Sequence, residues 1–191
     1  MKHSKMIICF IITTLLLLNC NIKNEGKYVR KIWGKPIDYS MLLNNRRNML
    51  DTIFSYNSNN KYKIVSYVDS LLCTPCLLGY LDASETYVDS IGKGKVFFIC
   101  IIRPRSKNEN EIRMALQGKT FSENICLLFD VDDLFAKSNK VENYPSHLRT
   151  FLLDDHNNVL LVGDPIRVNN VRDIYKATIT KIILDQGFCQ N

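Results

Sequence analysis

The chain has 191 residues, 46% of them hydrophobic and 23% charged, and its 25 Lys and Arg against 19 Asp and Glu give a formal charge of +6. This composition excludes a disordered chain, a fibrous repeat and a polytopic membrane protein, and so small a basic excess makes no case for a nucleic-acid partner. Seven cysteines are too few for a disulfide scaffold of this length, so their positions matter more than their number.

Lys2 and Lys5 precede an apolar run over residues 6–18. A basic start followed by a short apolar stretch reads as a secretory signal. The run is shorter than the roughly 20 residues a spanning helix needs, although an uncleaved anchor helix is the competing reading. Leu17-Leu18-Asn19-Cys20 resembles the lipobox of bacterial lipoproteins, with Asn19 where Gly, Ala or Ser is usual, as in the looser lipoboxes of Bacteroidetes. The resemblance implies that residues 1–19 are removed and that Cys20 carries the lipid. Two acyl chains anchor a protein stably, where one binds only marginally. The mature charge would then be +6 − 2 = +4. Lys23, Lys27, Arg30, Lys31 and Lys35 follow the anchor and read as a solvated tether. The expected organisation is a signal peptide over 1–19, a lipid-anchored tether and extension over 20–60, and one domain over 61–191.

From residue 61 the pattern sharpens. Residues 63–68 (KIVSYV) form a β-branched and aromatic run, and 76–91 carry apolar residues at helical spacing, closed by Gly92 and Gly94. Residues 95–102 (KVFFICII) read as a strand covered on both faces. Ser106 and Glu109 form a capping-box pair for a helix that Gly118 stops. Residues 125–129 (ICLLF) are a third buried strand, and Asp130 can cap the short helix after it. Strands at 150–153 and 159–162 flank a five-residue loop, and a last amphipathic helix follows with Asn170 as its cap. The order βα-βα-βα-ββ-α implies an α/β fold, a three-layer α/β/α sandwich whose mixed central sheet ends in an antiparallel hairpin.

One constellation carries chemistry. Cys73-Thr74-Pro75-Cys76 lies between the first strand and the first helix. That position places Cys73 at a helix N-terminus, where unpaired N–H groups and the dipole favour a thiolate. A free thiol is about 3% ionised at pH 7, and lowering its pKa to about 7 raises that to about half. Pro75 suits a first helical turn. Cys76, one turn in and within disulfide reach, can resolve the mixed disulfide that Cys73 forms, and should be the less exposed of the two. The same spacing occurs in zinc sites and in inert structural disulfides. Zinc wants four ligands, and no second CxxC is present. Cys100 and Cys126 lie in apolar strand runs and read as buried small hydrophobes.

The strand-CTPC-helix unit, followed by Thr150-Phe151-Leu152-Leu153-Asp154 and a hairpin, resembles the thioredoxin fold. More narrowly it resembles envelope-anchored TlpA/ResA-type proteins and the peroxiredoxin-like lipoproteins of Bacteroidetes, over roughly residues 61–185. The resemblance implies an attacking thiol at Cys73 and a resolving one at Cys76, flanked by Leu72, Thr74 and Pro75, with Leu148 and Arg149 opposite them. It implies exchange with thiols and disulfides of envelope proteins, a lipid-held place on the periplasmic side or at the outer membrane, and no cofactor or metal. The chain departs from the pattern at three places. Leu148 stands where the family has a cis-proline, so proline should be tolerated there. Leu72 replaces an aromatic residue, and Tyr67 replaces a buried acid. The peroxide-reducing pattern is absent, since Ser70 and Ser66 stand at its Thr and Pro places. A thioredoxin-like binding module with a structural or vestigial disulfide is the alternative function.

Overall fold

The computed structural model describes residues 25–44, 62–69, 73–92, 94–104 and 109–188, in two units that divide after Trp33. In the first, residues 25–32 are helical, and Arg30 Nε donates to the Gly26 carbonyl at 3.2 Å. Among the described residues no helix is long and apolar enough to cross a membrane.

The second unit is built on five strands: β1 (Tyr62–Asp69), β2 (Val96–Arg103), β3 (Ile125–Phe129), β4 (Thr150–Leu153) and β5 (Val159–Val162). Four helices accompany them: α1 (Thr74–Gly92), α2 (Glu109–Leu116), α3 (Leu134–Asn139) and α4 (Asn169–Phe188). The sheet order is β3-β2-β1-β4-β5. β1, β2 and β3 are parallel, whereas β4 runs antiparallel to β1, and β5 to β4. The expected strands and helices are present among the described residues, each within a few residues of its predicted limits. Ser106 of the expected capping box lies outside those residues, and Asn170, expected as the cap of the last helix, lies inside it because α4 already begins at Asn169.

Strand alternation sorts the core into two faces. Ile64, Phe98 and Ile125 lie in one row across the sheet, as do Val68, Ile102 and Phe129. This face packs on Leu77, Leu81 and Val88 of α1, Ile112 and Leu116 of α2, and Tyr175 and Ile179 of α4. Val65, Tyr67, Ile99 and Ile101 point the other way, where Phe135 of α3 stacks on Tyr67 at 5.3 Å. A single helical turn at Ser40–Leu43 buries Leu42. The two apolar faces explain why β1 to β3 read as near-continuous hydrophobic runs.

Residues 34–44, within the expected tether and extension over 20–60, lie in the same unit as the sheet. Gly34 N–H donates to the Val159 carbonyl, Val159 N–H to the Lys35 carbonyl and Ile37 N–H to the Asn157 carbonyl, each at 2.9 Å. The outer strand of the hairpin is thereby partly covered, which blunts an exposed sheet edge.

Candidate active site

β1 is the central strand, and its C-terminal end leads into Cys73. The Cys73 carbonyl accepts the Leu77 N–H at 3.0 Å, so Cys73 caps α1 and Pro75 falls in the first turn, where its missing N–H breaks no helical bond. The Cys73 and Cys76 sulfurs are joined in a disulfide across this turn, with Cα atoms 5.1 Å apart. The Cys76 N–H donates to Cys73 Sγ at 3.3 Å. Cys73, Pro75 and Cys76 are exposed, so Cys76 is not shielded as the sequence suggested: the disulfide sits on the helix end rather than under it. Thr74 is buried, and its hydroxyl donates to Glu111 Oε1 at 2.5 Å, fastening the motif to α2. Leu72, like Cys20, lies outside the described residues.

The loop that leads into β4 holds Leu148 and Arg149, the two other predicted site residues. Leu148 ends a 3-10 turn at Ser146–Leu148 and is buried. Its N–H donates to the Pro145 carbonyl at 2.9 Å. Proline at 148 would lose that bond, so the tolerance expected from the sequence does not fit this turn. Among the described residues every peptide bond is trans. The Tyr67 N–H donates to the Arg149 carbonyl at 2.9 Å, just beyond the Ser66–Thr150 pair that ends the β1–β4 ladder. Arg149 is strapped down: Nε donates to the Tyr144 carbonyl at 2.7 Å and Nη2 to the Glu142 carbonyl at 2.9 Å.

Tyr67 is buried between Phe135 and the Arg149 guanidinium, whose carbon lies 5.8 Å from its ring centre. Among the described residues its hydroxyl has no hydrogen-bond partner. Burial, and then the nearby Asp130 carboxylate, push its pKa far up. Asp130 is fully buried at the end of β3 and accepts the N–H groups of Leu134 at 2.7 Å and Phe135 at 3.1 Å, the capping role read from sequence. Burial holds its carboxyl above the usual range, against the lowering pull of those amides. Arg103 pairs with both Asp133 oxygens and lies 3.7 Å from Asp69. This ring of charges at the C-terminal ends of the parallel strands carries no sequence motif. It arises because successive crossovers bring one strand end beside the next.

Cys100 and Cys126 are free and buried, as expected. Loss of water raises both thiols, Cys126 to about 12, which makes them poor nucleophiles. They point to opposite faces, because Cys126 lies beside Ile99. Asp154, Asp155 and His156 cluster in the β4–β5 hairpin. Asp154 there accepts the N–H groups of His156 at 2.9 Å and Asn158 at 2.7 Å, a structural role in the turn.

A mixed sheet of order β3-β2-β1-β4-β5, with a CxxC disulfide capping the helix that leaves its central strand, defines a thioredoxin-like fold. No protein-family model matches the chain, and no curated protein matches its sequence. Among solved structures it is similar to the exposed lipoprotein thioredoxin Etrx1 of Streptococcus pneumoniae, at 16% identity over 65% of this chain and 87% of that one, with a TM-score of 0.45. It is similar to a putative thiol-disulfide oxidoreductase of Bacteroides vulgatus, at 14% identity over 64% and 82% of the two chains, with a TM-score of 0.45. An uncharacterised thioredoxin-like protein of Porphyromonas gingivalis is 18% identical over 66% and 78%, again with a TM-score of 0.45.

Proposed function

We propose that the protein is a membrane-tethered thiol–disulfide oxidoreductase that exchanges disulfides with cysteines of envelope proteins. The carrying observation is the exposed Cys73–Cys76 disulfide closed across the first turn of α1, with the Cys76 N–H directed at the Cys73 sulfur. A sulfur that accepts an amide N–H at a helix N-terminus is better stabilised as thiolate than as thiol. The tether is supported by the basic-apolar-Cys order that ends at Cys20.

In the reducing direction the Cys73 thiolate attacks a client disulfide. The client S–S bond breaks, a mixed disulfide forms, and the departing client sulfur takes a proton. The Cys76 thiolate then attacks the Cys73 sulfur, re-forms the Cys73–Cys76 bond and releases the second client thiolate, which is protonated in turn. Two electrons pass to the client, and an upstream thiol reductant must reset the pair. The oxidising direction is the reverse sequence.

A second reading, a binding module with a structural disulfide, is favoured by Leu148: a buried side chain with an engaged N–H occupies the loop position facing β1. The reduction potential separates the two. Working exchangers fall between roughly −300 and −120 mV, and structural disulfides below about −300 mV. A measured value in the first window supports exchange, and one below it supports the binding module.

A further inference from the structure

A cleft of about 380 Å³ opens at the end of β1, lined among others by Tyr67, Asp69, Ser146, Arg149, Asp164 and Arg167. Asp69 lies four residues before Cys73 in the chain. The Arg167 guanidinium lies 4.7 Å above the ring of Tyr80, which is one helical turn beyond Cys76. Tyr80 is seven residues beyond Cys73, a rise along α1 of about 10.5 Å, and an extended peptide advances about 3.4 Å per residue. A client whose cysteine meets Cys73 and which runs along α1 therefore comes level with Tyr80, and with the Arg167 guanidinium above it, at about its third neighbouring residue.

The acids of the cleft are already engaged. Asp164 Oδ1 accepts the N–H groups of Ile166 at 2.9 Å and Arg167 at 3.2 Å, and its side chain is only 3% exposed. Asp69 sits 3.7 Å from both Arg103 and Arg149. The two cations are held in place yet retain donors. Arg149 is fixed through Nε and Nη2, and its Nη1 stays 3.7 Å from Asp69, beyond a direct hydrogen bond. Arg167 rests on Tyr80, with Nε 3.6 Å from Asp164 and its side chain 35% exposed. Two positioned guanidinium groups with N–H directions unengaged among the described residues suit a carboxylate, which accepts in the plane of the fork, and they oppose a client lysine. The mature charge of +6 − 2 = +4 favours encounter with acidic clients.

We propose that this cleft takes the carboxylate of an acidic residue about three positions from the client's reacting cysteine, and that Arg167 determines this specificity. The inference rests on the oxidoreductase reading. The test uses disulfide-closed peptides identical except for Glu, Gln or Lys at that position, and measures the rate at which the reduced protein reduces each. The Glu peptide should outrun the Lys peptide by about ten-fold at low salt, as steering charges at an interface do, and the ratio should shrink at high salt. In Arg167→Gln the ratio should fall towards one, and Arg167→Lys, which keeps the charge, should restore most of it. Equal rates in the wild type, or a ratio unchanged in Arg167→Gln, would overturn the cleft assignment. Hydroxyethyl disulfide, which carries no charge, separates the two levels. If it is reduced while the peptides show no preference, the cleft assignment alone fails; if neither it nor any peptide is reduced, the oxidoreductase reading fails and this inference with it.

Discussion

The backbone N–H of Cys76 points back at the sulfur of Cys73, 3.3 Å away. This is the bond an N-cap side chain makes to the third helical residue, with sulfur in place of the usual oxygen. It makes the two cysteines unequal. Once the disulfide opens, Cys73 holds the capping position and Cys76 lies inside the helix.

Alkylation of the reduced protein under mildly acidic conditions should therefore modify Cys73 before Cys76. Cys76→Ala should accumulate mixed disulfides with envelope proteins, since nothing is left to resolve them, and Cys73→Ala should trap none. Mass spectrometry of the trapped species reads both outcomes. Equal alkylation with no trapped species from either variant would favour the binding module.

Lipidation is a separate matter. Cells given a labelled fatty acid should label the wild-type protein and not Cys20→Ser. Equal labelling of both would rule out Cys20 as the anchor.

Tyr67→Phe removes a buried hydroxyl that has no partner among the described residues. Its ring stacking with Phe135 is kept. Leaving such a group unsatisfied costs on the order of 1–3 kcal/mol, so the variant should equal or exceed the wild type in urea unfolding. A loss above about 1 kcal/mol would show that the hydroxyl has a partner in solution.

Asp130 gives a pH signature. Its folded pKa is raised, so the native state holds this proton over a window where the unfolded chain, at about 3.9, has lost it. More protons bound in the native state mean that this group's contribution to stability falls as pH rises through the window. The slope is 2.303RT times unfolded minus native protons, which is negative here. Asp130→Asn abolishes the titration, so wild-type stability minus variant stability should decline from about pH 4 upwards. A difference that rises with pH would show that the amide hydrogen bonds outweigh burial.

Leu148→Pro removes the N–H bonded to the Pro145 carbonyl and replaces a buried side chain. It should cost about 1–3 kcal/mol by chemical denaturation. A neutral result would mean that the turn rearranges to admit proline.

The elements and their order were legible in the sequence because each rests on a local cause. Residues 95–102 show no alternation, as a strand buried on both faces should not. Asp130 stands at the right distance to cap α3, and CTPC directly precedes a helix-spaced run. What the sequence alone left unread depends on contacts between residues far apart in the chain. Residues 34–44 fall in the expected tether and extension and show no clear pattern, yet their backbone joins the hairpin through Asn157 and Val159. Backbone bonding leaves no trace in side-chain pattern. That Cys76 is exposed along with Cys73 also depends on what packs against the start of α1. The cleft gathers Asp69 from β1, Arg149 from the approach to β4 and Arg167 from the approach to α4. The sequence by itself set the strand and helix types and placed a cysteine pair at a helix start, since propensity, capping and spacing act over a few residues. Only the tertiary structure decided which charges surround that pair, because parallel crossovers align strand ends whose residues are separated by dozens of positions.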